Sequence, residues 1–358
     1  MLDLTSSLYL GLRHAHADLD GWEAMTTGVP AALAEPAGAR AVGDGLARLV
    51  GVERGVVARS TLHAFLDLFA ACRDDVFHLD AGNYPIAGWA LAGLRCPEAS
   101  RTFPHRDVAG LRERLAAAGA DRRPVVVADG FCPGCGEVAP IRGYLAALRP
   151  YGGLLVLDDT QALGVLGRDP GVRDPYGAGG GGSLRWSRAL GSVVVVSSLA
   201  KAFGAPIAVL AGPAAVVDEV AGRGPTRVHS SSPSAADLRA AQRALLLNAR
   251  VGDQLRSRLL WLVRRFRRRL ARRGCRLADG EFPVQRLPAT SRQRALMTHA
   301  WLTRAGVRSL VTRPTCRPGA AVTVVITTAL SPAEVDRAAD LLAAAVRATA
   351  RSGAAAAP

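Results

Sequence analysis

Three short runs in the middle of the chain are apolar at every position: Val125-Val126-Val127-Ala128, Leu154-Leu155-Val156-Leu157 and Val193-Val194-Val195-Val196. Runs this short, bounded by polar residues, predict strands covered on both faces rather than helices. They close on Asp129, Asp158 and Ser197. Residues 141–149, between the first two, carry apolar positions at helical spacing. A strand–helix–strand order implies a largely parallel sheet in an α/β domain. The glycine run at 177–182 lacks a strand-to-helix setting and reads as a flexible surface loop.

The pattern changes after about residue 240. Leu255, Leu259, Leu262, Val263, Phe266 and Leu270 recur at helical spacing. An extended stretch at 282–287, a helix over 291–305, a strand over 321–327 and a helix over 332–348 then predict a compact α+β end domain. Residues 352–358 read as a frayed tail. The expected division is an N-terminal arm (1–40), a large domain (41–240) and a small C-terminal domain (241–358).

Composition narrows the picture. A chain of 358 residues with 49% hydrophobic content has ample core. No signal-peptide pattern opens it, and no apolar run approaches the ~20 residues of a membrane span, so a cytoplasmic protein is expected. The six cysteines are scattered, which suits reduced thiols. Cys132 and Cys135 have CxxC spacing, but without a second pair or a nearby histidine no metal site is expected. The net charge of +15 is concentrated in residues 256–276, where the arginines should line the wet face of a helix. That favours a solvated surface over nucleic-acid binding, and a basic surface could also attract an anionic substrate or an acidic carrier protein.

One basic residue stands apart. Of 45 cationic side chains, 44 are arginine and one is lysine, Lys201. Arginine can replace lysine as a charge but cannot form an imine. Lys201 follows the third apolar run through Ser198-Leu199-Ala200, so a strand end delivers a hydroxyl and then an amine. That arrangement can hold the phosphate and the aldehyde of pyridoxal 5'-phosphate together. Asp158, at the end of the neighbouring run, could pair with the pyridine nitrogen. Ser60-Thr61, before the helical run that starts at Leu62, offers hydroxyls and free N–H groups to an anion.

Beyond these residues, the chain resembles the α-oxoamine synthase family of fold-type-I pyridoxal-phosphate enzymes. The likeness is carried by Ser6–Leu12, Val127–Phe131 with Gly136–Pro140, Leu157–Gly167, Ser198–Gly204, His229–Pro233 and Arg313–Thr315. It implies a large domain with a mostly parallel seven-stranded sheet and a small α+β domain. It further implies that Lys201 is the imine lysine and Asp158 the partner of the ring nitrogen. Ser60, Thr61, Leu62 and Ser198 would hold the phosphate, helped by Ser231 or Ser232 from the second subunit of a homodimer. Asp129 takes the place of the family's acidic residue near the substrate. Gln161 stands where the family has a histidine facing the phenolic oxygen, and its amide can still donate there.

The substrate side departs from the family pattern. Tyr84 replaces the ring-stacking histidine, with His63 as a second candidate for that role. Thr323 replaces the carboxylate-binding arginine, for which Arg313 or Arg317 could substitute, and Ser7 replaces an asparagine. Ser7, Arg313 and Thr315 are the expected substrate contacts. The resemblance implies a transferase that forms an external aldimine with an amino acid and condenses it, with loss of CO₂, with an acyl-CoA or acyl-carrier-protein thioester in specialised biosynthesis. Amino transfer or β/γ-elimination and replacement are the alternatives on the same frame. A non-enzymatic regulator is the least favoured, for want of a DNA-binding segment.

Overall fold

The computed structural model describes residues 1–94, 100–119, 121–184, 191–278 and 280–354. Cys96 lies outside them. In chain order the elements are β1 (Leu2–Asp3), α1 (Ala39–Val50), β2 (Arg54–Ala58), α2 (Thr61–Ala71), β3 (Val76–Asp80), α3 (Pro85–Gly93), β4 (Ser100–Phe103), α4 (Val108–Ala118) and β5 (Pro124–Asp129). Next come β6 (Phe131–Cys132), β7 (Glu137–Val138), α5 (Ile141–Leu148), β8 (Leu154–Asp158), β9 (Val193–Ser198), β10 (Ala208–Gly212), α6 (Ala214–Arg223), α7 (Pro225–His229) and α8 (Ala235–Arg272). The chain ends through β11 (Val284–Arg286), α9 (Arg292–Arg304), β12 (Val307–Arg308), β13 (Leu310–Thr312), β14 (Ala321–Val325) and α10 (Pro332–Ala354).

Seven strands form the main sheet in the order β2-β10-β9-β8-β5-β3-β4, and only β10 runs against the rest. The apolar runs are its centre: every residue of Leu154–Asp158 is buried, as are Val193–Ser197. Register fixes what meets at the carboxyl ends. Asp129 of β5 lies beside Asp158 of β8, and Asp158 lies beside Val196 of β9. Ligands of open α/β sheets bind beyond these ends.

The smaller sheet, β11-β14-β13, is antiparallel and is backed by α9, which in turn packs against α10. β1 pairs in parallel with β12, and the Val325 N–H donates to the Leu4 carbonyl, so the start of the chain is stitched to this end of the molecule. The boundary expected at 240/241 falls inside α8, a continuous helix of 38 residues. α10 continues through Ala354, so residues 352–354 are helical rather than frayed.

Two expectations are corrected. The glycine run is a packed turn. Gly177, Gly179, Gly180 and Gly182 all have positive φ, a region that side chains rarely adopt. Gly180 accepts from the Gly164 N–H at 2.8 Å, and Gly182 donates to Leu166 at 2.7 Å. The arginines of α8 do not simply face water. Arg265 pairs with Asp336 and Arg269 with Asp340, each at 2.7 Å, Arg273 adds Asp340 at 2.9 Å, and Arg264 reaches Glu281 at 2.8 Å. Arg256 is fully buried, donating to the Gly164 carbonyl and to Asn248 Oδ1.

Candidate active site

The two adjacent aspartates after β8 have separate tasks. Asp159 is completely buried and accepts the Ser183 N–H at 2.9 Å, anchoring the end of the glycine turn. Asp158 is also buried, and Thr160 is the only hydrogen-bond donor to its carboxylate among the described residues, through an N–H at 3.0 Å and its hydroxyl. Burial pushes its carboxyl up, against those donations and the charge of Lys201. Asp129 is raised well above the usual carboxylate range, by burial first and then by the Asp158 charge. Lys201 is lowered by burial, with Asp158 and Asp129 opposing. Buried Asp158 and half-buried Asp129, with few donors and one half-buried amine beside them, leave room for a further cation. A protonated ring nitrogen against Asp158 supplies it, so these residues fit pyridoxal phosphate.

Gln161 is oriented by a residue that sequence reasoning passed over. The buried Tyr9 donates its hydroxyl to Gln161 Oε1 at 2.5 Å, which leaves the amide NH₂ as the end available to a ligand. Asn83 was missed as well: its Oδ1 accepts the Asp129 N–H at 3.0 Å and its Nδ2 donates to the Val127 carbonyl at 2.8 Å, pinning the end of β5. Tyr9 lies in the Ser6–Leu12 segment that carries the family resemblance, which is the signal that could have found it; Asn83 directly precedes Tyr84, the departure already singled out. Asp129 in turn accepts the Tyr84 N–H with both oxygens at 3.2 Å. The Tyr84 side chain is 63% exposed at the start of α3.

Ser7, Tyr84, Asp129, Gln161, Arg313 and Thr315 line one cavity of about 520 Å³ between the main sheet and the small sheet. Thr323 lines it too, and so does Arg286, its register partner on β11. Arg286 is buried, yet its Nε has no hydrogen-bond partner among the described residues. Nothing in the local pattern of 284–286 marks Arg286; only the strand pairing puts it beside Thr323.

Ser60, Thr61, Leu62, Asp158, Ser198, Lys201, Ser231 and Ser232 are not part of that lining. Ser60 caps α2, accepting the His63 N–H and bonding the His63 ring at 2.8 Å, so His63 serves the helix start rather than the cavity wall. α2 packs across β9 and β10, the strands on the Lys201 side of the sheet. The Ser198 N–H donates to Thr160 Oγ1 at 3.0 Å, tying the β9 end to the β8 end. The Ser231 carbonyl accepts from Arg59, next to Ser60, and the buried Ser232 hydroxyl has no partner.

The expectation of no metal-ligand set is corrected. It rested on the lack of a histidine near the CxxC pair, and folding supplies one: His105, Cys132, Cys135 and Cys316 place their ligand atoms within 4.8 Å of one another.

The model of the family described as aminotransferase class I and II matches residues 3–342. An 8-amino-7-oxononanoate synthase of Acidithiobacillus ferrooxidans is 30% identical over 331 residues, 89% of this chain and 80% of the relative. One of Bordetella petrii is 31% identical over 252 residues, 68% of this chain but only 59% of the relative's length. Among solved structures, a serine palmitoyltransferase from S. paucimobilis superposes with a TM-score of 0.83 at 18% identity, covering 97% of this chain and 88% of that one. An 8-amino-7-oxononanoate synthase from Francisella tularensis gives 0.75 at 17% identity, covering 97% and 98%. The chain belongs to the class I and II aminotransferase family, in its α-oxoamine synthase branch. Its cofactor is that of the family, pyridoxal 5'-phosphate.

Proposed function

We propose that this enzyme joins an amino acid to an acyl thioester with loss of CO₂, in a specialised biosynthetic pathway. The observation that carries the reading is the set of Lys201, Asp158 and Asp129 at the ends of three adjacent parallel strands, next to a cavity walled by the small domain. Bound pyridoxal phosphate supplies an electron sink for the substrate's α-carbon. Asp158 holds a proton on the ring nitrogen, the cation its burial calls for. Gln161 offers its amide N–H to the phenolic oxygen while Tyr9 occupies its carbonyl. Ser60, Thr61 and Leu62 at the start of α2, with Ser198, receive the phosphate.

Lys201, lowered by burial, takes the α-proton on Nζ as a neutral amine. Asp129 holds the backbone of Tyr84, whose side chain would form one wall of the cavity beside a bound cofactor. In the overall reaction a C–C bond forms between the α-carbon and the acyl carbonyl carbon, the thiolate leaves, and the carboxylate departs as CO₂. About 520 Å³ lies within the roughly 300–1,000 Å³ of small-molecule sites and leaves room for a second reactant beside an amino acid. Arg286 and Arg313 are the cavity's cations, suited to a carboxylate or to the phosphates of a CoA or carrier-protein arm. A homodimer completes the site with Ser231 or Ser232, and a cytoplasmic setting would supply the thioester.

An amino-acid panel incubated with and without acyl-CoA, read by mass spectrometry, tests this reading. An α-oxoamine and CO₂ should appear only with both reactants. An oxo acid formed without thioester would put amino transfer in its place, a reading favoured by the phenol of Tyr84 where the resemblance calls for an imidazole.

A further inference from the structure

We propose that His105, Cys132, Cys135 and Cys316 form a structural zinc site that clamps the β13–β14 turn of the small domain to the large domain at the mouth of the active site. The ligands come from three places: His105 between β4 and α4, Cys132 and Cys135 from β6 and the turn after it, and Cys316 from the β13–β14 turn. Tetrahedral zinc with Zn–S of about 2.3 Å and Zn–N of about 2.0 Å sets S···S edges near 3.8 Å and N···S edges near 3.5 Å. Cys132 Sγ and Cys316 Sγ are 3.6 Å apart, and His105 Nε2 is 3.5 Å from Cys135 Sγ. Those two edges match a filled site, and all four ligand atoms lie within 4.8 Å of one another.

The surroundings are built for a ligand as well. His105 turns Nε2 to the sulfurs because Nδ1 donates to Asp80 Oδ1 at 2.6 Å, the carboxylate–histidine support usual behind a metal. Asp80 is buried and cannot swing away, since it also accepts from the Gly82 N–H at 2.7 Å, the Arg106 N–H at 2.9 Å and the Tyr144 hydroxyl at 2.9 Å. The Gly136 N–H donates to the Cys132 carbonyl at 2.8 Å, closing the turn that brings the CxxC sulfurs together. Three thiolates, a neutral imidazole and Zn²⁺ carry one net negative charge. Buried Arg286, which has no ion pair among the described residues, donates to the Gly134 carbonyl within the CxxC turn and lines the same cavity as Cys132 and Cys316.

Three sulfurs and one nitrogen select zinc over oxygen-seeking magnesium or calcium, and four protein ligands leave no open position for chemistry. A disulfide would account for two of the sulfurs and leave His105 aimed at the third without purpose. The clamp has a clear beneficiary: Arg313 and Thr315 of the cavity wall lie in the same turn as Cys316, and Thr315 Oγ1 donates to the Gly82 carbonyl at 3.1 Å.

The full chain, purified under reducing conditions without chelator and incubated with zinc chloride, should carry about one tightly held zinc by elemental analysis. Cys316→Ser and His105→Ala should each drop that to under about a tenth while keeping the cofactor's absorbance, and Cys275→Ser should retain the metal. Should the variants fail to fold, cobalt loading of the unaltered protein still decides. Intense tetrahedral bands with thiolate charge transfer support the site, and the weak spectrum of six-coordinate cobalt overturns it. Zinc below about a tenth per chain in the unaltered protein, or an intact mass showing a disulfide among the three sulfurs, also overturns it.

Discussion

Lys201 and its neighbours make claims that single substitutions can check. Lys201→Ala should remove the yellow absorbance of the bound cofactor, and borohydride reduction of the unaltered protein should place the pyridoxyl group on the one lysine peptide. A label found only on a terminal amine would sink the assignment. Asp158→Asn should keep the fold, bind the cofactor more weakly and stop exchange of the substrate's α-proton into heavy water; unchanged exchange would displace the ring from the β8 end. Tyr9→Phe removes a hydrogen bond worth about 1 kcal/mol, so a loss of roughly five- to tenfold in kcat is expected, with a shifted cofactor absorbance as the amide turns. An unmoved spectrum would show that Gln161 does not face the ring.

Elements carry a second kind of consequence. On β3, His78 is fully buried and neither ring nitrogen has a hydrogen-bond partner among the described residues. Burial, with the charges of Arg101 and Arg114, lowers its pKa from 6.5 to about 4. The unfolded chain therefore binds the proton more readily between those values. Its contribution is fully present above pH 6.5 and is lost as pH falls toward 4, on the order of 3 kcal/mol in all. Urea titrations across that window should show a shallower loss for His78→Leu than for the unaltered protein; parallel curves would rule the histidine out.

The same scale shows what the sequence could and could not display. β5, β8 and β9 were legible because strands covered on both faces are apolar throughout. The α8 arginines were not, because their partners Asp336 and Asp340 lie on α10 with the matching four-residue step. One helix read alone shows only a charged face. The glycine run hid for a similar reason: positive φ and packing against Asp159 and Arg256 are properties of the fold.

At the scale of the molecule, the cofactor residues were readable because each sits in a short contiguous motif. The cavity wall and the sulfur cluster were not, since Cys132 and Cys316 are 184 residues apart and Arg286 meets Thr323 only through strand pairing. Ser232 makes a molecular-scale prediction. Its buried hydroxyl lacks a partner among the described residues of a single chain, so light scattering should find a dimer, and Ser231→Ala with Ser232→Ala should weaken cofactor retention without dissociating the dimer. A monomer that keeps its cofactor tightly would count against a shared site.

The half-buried position of Lys201 has a practical corollary. Amine-directed esters, aldehydes and bifunctional crosslinkers find no other side-chain amine on the chain, because it has no second lysine and its 44 remaining Lys/Arg-type cations are guanidiniums. Besides a terminal amine, the one reactive nitrogen is the one the cofactor occupies. Label counted on the Lys201 peptide of the purified protein therefore becomes a direct gauge of vacancy: loaded molecules are protected there, and empty ones take the dye.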